Sequence, residues 1–265
     1  MSETNSQMNY APASEPKPDD APTMTTPQTL TNIFFEPGST FAALRERPRF
    51  LIAAVIMMGV FLAFTTLLLQ RVNYEAMVRE SIDTNPRTAE MEPEQKEQMI
   101  AVQTKPIFKS LAYVMPVVGI VVFLAAGAGL YLLGAMAMGK GMSYKQSLAV
   151  YAYSSMPPTV LLMLANIIIL LVKPPDVAEA AKASRGGLIH ANPGVLFDGT
   201  TQPVLATVFG SLDLFAFYGL FLAAIGLRKV ARLSSGSAWT IVLALWLLGV
   251  ILRVGMAALF GSPMA

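Results

Sequence analysis

The chain has no cysteine in its 265 residues. That excludes disulfides, thiolate metal sites, iron–sulfur clusters and cysteine nucleophiles. There is one histidine, His190, so two imidazoles cannot share a metal within one chain, and neither a metal nor a cofactor is expected. Charge is scarce as well: Asp, Glu, Lys and Arg make up 14% of residues, against about 25% in soluble domains. A net charge of +2 is too small to suggest nucleic acid as a partner. The apolar stretches carry no HExxH, GxSxG or paired-carboxylate pattern, which argues against an intramembrane enzyme. His190 stands beside Asn192 and Pro193 in a polar loop without a serine partner, and it reads as a solvated side chain.

Apolar surface is abundant. The hydrophobic fraction is 54% and the mean hydropathy is +0.53. Five long runs stand out, at 50–69, 111–138, 148–172, 204–227 and 238–260. Crossing ~30 Å of hydrocarbon takes ~20 helical residues. These runs are apolar on every side, whereas a soluble helix carries a polar face at a 3.6-residue period. The sequence therefore predicts an all-α, polytopic membrane protein, a bundle of five transmembrane helices over 50–261. Residues 1–28, rich in Ser, Thr, Pro and Asp, predict a disordered polar tail. Residues 29–49 predict an interfacial amphipathic lead-in. There Ser39 or Thr40 would cap a short helix that Pro48 ends, with Phe41 and Leu44 on one face.

Orientation follows from the basic residues. Arg45, Arg47 and Arg49 precede the first run, and Lys140, Lys145, Arg228, Lys229 and Arg232 fall in two short loops without acids. Short basic loops stay cytoplasmic. With five spans, all of these residues fall on one side, where they suit anionic headgroups. The longer, charge-balanced loops 70–110 and 173–203 fall on the other. The N-terminus is then expected in the cytoplasm and the C-terminus outside, in a bacterial cytoplasmic (inner) membrane.

Several features within the runs bear on function. The stretch GAMAMGKG, Gly134 to Gly141, has the spacing of a phosphate loop up to Lys140. Gly141 stands where Ser or Thr would hold magnesium, and an apolar helix precedes it instead of a strand. Lys140 is therefore read as a headgroup anchor. Small residues from Ala125 to Gly134, including the Ala125–Gly129 pair, permit close helix approach. Pro157 and Pro158 predict a helix break or kink in the third span, with Ser154 and Ser155 available to freed carbonyls. Asn166, Asp213 and Arg253 lie at similar depth, roughly 9–13 Å from one end at 1.5 Å per residue. Charges in lipid seek partners, so an Asp213–Arg253 pair assisted by Asn166 is expected, serving as a structural clamp or as a transport layer.

LTNIFFEPGSTFAALRERPRF (30–50), YAYSSMPPTVLLML (151–164) and SLDLFAFYGLFLAAIGLRKV (211–230) together resemble the Yip family, named for interaction with Ypt (Rab) GTPases, in its bacterial-type branch. The resemblance spans roughly 30–261. It implies a multispan membrane protein without catalytic residues, acting as a membrane-organising or protein-interaction module. Its partners would be the bilayer, other membrane proteins or itself, with a GTPase partner implied only by family analogy. The alternative is a small transporter or channel built on the Asn166/Asp213/Arg253 layer.

Overall fold

The computed structural model describes residues 24–173, 175–199 and 201–261. Among the described residues all regular structure is helical. Helices α1 (Thr26–Phe35) and α2 (Pro37–Glu46) precede α3 (Leu51–Arg71). Three short helices, α4 (Tyr74–Asp83), α5 (Pro86–Ala89) and α6 (Pro93–Gln103), lead to the long α7 (Pro106–Ala137) and α8 (Tyr144–Val172). Then come α9 (Val177–Gly186), a 3-10 turn (Pro193–Leu196), α10 (Pro203–Gly210), α11 (Leu214–Val230) and α12 (Ser235–Phe260).

Helices α3, α7, α8 and α12 are each long and apolar enough to cross a membrane. The pair α10 and α11, bent by 44° at their junction, makes a fifth crossing if it counts as one span. The expected fourth span is therefore not one continuous helix. With 17 residues, α11 rises about 26 Å, short of the ~30 Å hydrocarbon layer, and α10 supplies the remainder.

The outer surface is built for lipid. Only 17% of the apolar window of α12 is buried, and Val114, Val118, Val121, Leu130 and Leu133 of α7 are exposed. Between helices in lipid the hydrophobic drive is lost, and close packing and interhelical hydrogen bonds replace it. The small residues do this work on one face of α7. A Cβ at Gly127 would sit 2.0 Å from Tyr151 Cζ, and one at Gly134 would sit 2.6 Å from Ile241 Cγ2. Ser147 Oγ donates to the Ala128 carbonyl at 2.6 Å. The Ala125–Gly129 pair makes no close helix approach, although the Ala125 carbonyl accepts from Tyr144 Oη of α8 at 3.0 Å. Ala125 is exposed and nothing faces Gly129.

Helix α8 lies at the centre, packed on α3, α7 and α11, with Val150, Tyr153 and Met156 buried. Pro157 and Pro158 do not break it, and it runs unbroken from Tyr144 to Val172. Ser154 Oγ donates to the Tyr151 carbonyl at 3.0 Å instead of to a carbonyl freed by proline. The carbonyl of Ser154, which loses its donor to Pro158, faces Gly219 of α11. A Cβ there would lie 3.6 Å from that oxygen and 3.5 Å from Pro158 Cγ.

The N-terminal segment differs from expectation in detail. Residues 1–23 of the expected tail lie outside the described residues, and Thr26–Gln28 already form the first turn of α1, under a Thr25–Gln28 capping box. Ser39 and Thr40 do not cap α2. It starts at Pro37, and both hydroxyls donate to the Glu36 carbonyl. Phe41 and Leu44 do share a face, but that face is seated in the bundle, 0% and 1% exposed. Phe41 meets Gly226 of α11, beside Val150.

Opposite this end, α4 packs on α6 and α9. Arg79 of α4 pairs with Glu97 of α6, Nη2 to Oε2 at 3.1 Å. That hydrogen bond, together with the guanidinium charge, holds the Glu97 carboxyl below its ordinary range. The pair is solvent-exposed, so it contributes little stability. Pro93 opens α6 in its first turn, where the N–H it lacks would have no helical partner.

Candidate functional site

Two polar regions are candidates. The first is the expected intramembrane layer, which the structure divides among three local roles. Asn166 is fully buried. Its Oδ1 accepts from the Leu188 and Ile189 amides, and its Nδ2 donates to the Leu162 carbonyl at 2.7 Å. It latches the loop after α9 onto the end of α8. Gly187 makes the approach possible, because its φ of +95° suits glycine and a Cβ there would lie 2.9 Å from the Asn166 amide.

Asp213 is the N-cap of α11. Its Oδ1 accepts from the Phe215 and Ala216 amides at 2.9 and 3.1 Å, which satisfies donors that a helix start leaves open. Its Oδ2 accepts from Asn192 Nδ2 at 3.1 Å. Asn192 in turn holds the Gly194 amide, and the Leu214 amide donates to the Ala191 carbonyl. The carboxylate thus ties the broken fourth span to the 190s loop.

Arg253 forms no ion pair with Asp213. Its Nε donates to the Gly249 carbonyl of its own helix at 3.4 Å, and it lies seven residues before the end of α12 at Phe260, within reach of the interface for a long side chain. The expected clamp does not form, because the fourth span is broken and the chain turns at Asp213, whose carboxylate caps α11. The signal was present in the sequence: Gly210, Ser211 and Asp213 are turn and cap residues within an apolar run. His190 is exposed in this loop.

The second region lies where the short loops meet. The C-terminal ends of α2, α7 and α11 and the N-terminal ends of α8 and α12 gather at one end of the bundle, so the expected basic residues do share a side. A recess of about 400 Å³ there is lined by Arg45, Glu46, Lys140, Gln146 and Arg232, with small residues between them. Gln146 fixes the wall. Its Oε1 accepts from the Ser143 amide at 2.8 Å, completing the α8 capping box, and its Nε2 donates to the Arg45 carbonyl at 2.9 Å. Arg45 pairs with Glu46, Nη2 to Oε1 at 2.8 Å. Among the described residues Lys140 and Arg232 have no acidic partner.

Arg47, Lys145, Arg228 and Lys229 are exposed at the same end. Lys229 lays its stem beside Gly38 of α2. Arg49, expected at headgroups, turns inward instead. Its Nη1 donates to Thr26 Oγ1 at 3.2 Å and its Nη2 to the Met24 carbonyl. The guanidinium pins the start of α1. Its Nε and the Tyr153 hydroxyl are buried without hydrogen-bond partners among the described residues. Among the described residues no cluster of His, Cys, Asp and Glu has the makings of a metal site.

A bundle of apolar helices with a lipid-facing outer surface and polar caps at both ends defines an integral, multi-pass membrane protein. The chain belongs to the Yip1 domain family, whose model matches residues 31–256, most of the chain. No curated protein and no solved structure matches it.

Proposed function

We propose that this chain is a non-enzymatic membrane-organising or protein-interaction module. Its basic end would lie in the cytoplasm of a bacterial inner membrane, where partners and anionic lipid meet it. The observation that carries the reading is the fate of the intramembrane polar residues. Asn166, Asp213 and Arg253 each bond within a cap, a latch or their own helix. A transport layer built on these three residues would need them facing a shared path. The basic end, by contrast, draws Arg45, Lys140 and Arg232 from three separate segments around one recess. The positive-inside rule favours the cytoplasmic side for that end.

The test is site-specific photocrosslinking in native membranes. Probes replace Arg47 and Lys145 at the basic end, or Gln95 and His190 at the other. The expected result is a discrete, reproducible protein adduct from the basic end, formed by probes that impermeant reagents cannot reach from outside. An ion or solute flux in proteoliposomes that Asp213→Asn abolishes would overturn the reading in favour of a transporter.

A further inference from the structure

We propose that the recess between α2, the α7–α8 turn and the α11–α12 turn is a phosphate site, occupied by the phosphomonoester headgroup of an anionic lipid. The inference deepens the membrane-organising reading and rests on it only for the lipid surroundings of this end.

Three cations converge on the recess from positions far apart in the chain. Arg45 comes from the last turn of α2, Lys140 from just after α7, and Arg232 from just after α11. The one acid in the lining, Glu46, is engaged by Arg45. Among the described residues Lys140 and Arg232 have no acidic partner, so an anion that accepts from both is the complementary occupant. The volume, about 400 Å³, lies near the lower end of small-ligand sites and suits a headgroup.

The backbone supports a selected site. Arg232 has φ +54° and is the only non-glycine residue with positive φ among the described residues. The helix-end position just past the cap favours glycine in that conformation. Two other apolar helices follow the preference: α7 is followed by Gly139 at φ +69°, and α12 ends on Gly261 at φ +63°. At the helix end that lines the recess an arginine holds the same conformation. Backbone conformations kept against local preference cluster at functional sites. The wall opposite is fixed by Gln146, which bonds both the α8 cap and the Arg45 carbonyl, so the backbone that carries Arg45 is held in place.

The location favours lipid over a soluble phosphate compound. Two apolar helices, α7 and α8, end and begin at the rim, which sets the recess at headgroup level. A phosphomonoester presents more charge and more acceptor oxygens than a phosphodiester, and so answers better to the two cations, Lys140 and Arg232, that Glu46 leaves unmatched.

The test uses the full chain purified in detergent, with bound lipid read by native mass spectrometry. The probes are short-chain phosphatidic acid, phosphatidylglycerol and phosphatidylcholine, with inorganic phosphate as competitor. Phosphatidic acid should be retained best. Arg232→Gly is the informative variant, because glycine suits the backbone there and the fold should be kept or gain in thermal stability. It should weaken phosphatidic acid retention roughly fivefold or more, the share of one cation near a membrane surface. Lys140→Gln should do likewise, while Lys145→Gln, at the same end but outside the recess, should bind as the unaltered chain does. Equal retention in Arg232→Gly and the unaltered chain would overturn the site. An equal loss in Lys145→Gln would do so too, since it would reduce the effect to diffuse surface charge. Full displacement by millimolar inorganic phosphate would overturn the lipid assignment and hand the recess to a soluble phosphate compound. Loss of lipid binding together with an intact photocrosslinked protein adduct would separate failure here from failure of the organising role.

Discussion

Replacing Asn166 with alanine tests whether the buried amide is a latch. Asn166 is 0% exposed, and alanine removes the acceptor for the Leu188 and Ile189 amides as well as the donor to the Leu162 carbonyl. A buried N–H without a partner costs about 1–3 kcal/mol, and the lower half of that range for two partly buried amides gives about 2–4 kcal/mol. The void left by the carboxamide adds about 1 kcal/mol. At roughly 2–4 °C per kcal/mol for a chain of this size, thermal unfolding in detergent should fall by roughly 10 °C. The damage should also be local. Hydrogen exchange read by mass spectrometry should speed up over 187–192, with α3 and the start of α8 unchanged. Asn166→Asp keeps an oxygen facing both amides and should protect the loop better than alanine does. A melting point and loop exchange matching the unaltered chain would refute the latch, and a selective loss of solute flux with stability intact would return Asn166 to a transport role.

Gly127→Ala forces a Cβ into the Tyr151 ring, which is held by edge contacts to Phe123 and Tyr131 at 5.1 and 5.0 Å. It should cost about 1–3 kcal/mol. In a Tyr151→Ala background the same change should cost about 0.5 kcal/mol or less, and equal costs in the two backgrounds would mean the ring is not the obstacle. For Asp213 and Arg253 the structure predicts independence. Asp213→Ala should cost about 1–2 kcal/mol as a lost cap, and its effect should add to that of Arg253→Ala within about 0.5 kcal/mol. A coupling well above that in a double-mutant cycle of thermal stability would reinstate the ion pair.

The apolar runs made the bundle legible, because a helix in lipid needs length and apolarity on every side and little else. Four spans fall where those runs lie, and the basic loops gather at one end as their charge suggests. Interruptions were harder to read. A hydropathy window averages over Ser211–Asp213, so Asp213 looks like a charge embedded in a span when it is the cap of a new helix. Pro157 and Pro158 look like a break because the sequence shows the lost donors but not the packing of α8 against α3, α7 and α11, in which the helix stays continuous. Arg49 reads as one of three equivalent surface arginines until the fold brings α1 over it. The recess was hidden for a related reason. Lys140 and Arg232 are visible as cations, but only the antiparallel arrangement of α7, α8 and α11 makes them neighbours of Arg45.

The seating of α2 bears on the order of assembly. Phe41 packs against Gly226, about 185 positions later in the chain, and the Arg45 carbonyl waits for Gln146. During synthesis the first two helices have no complete seat until α11 has been threaded through the membrane. Contacts this distant in sequence close slowly, since the intervening chain must be ordered first. The α1–α2 pair can therefore complete its seat only once α11 is in place. A chain truncated before α11 would insert its early spans yet leave Phe41 exposed, a marker by which membrane quality control could tell the unfinished protein from the finished one.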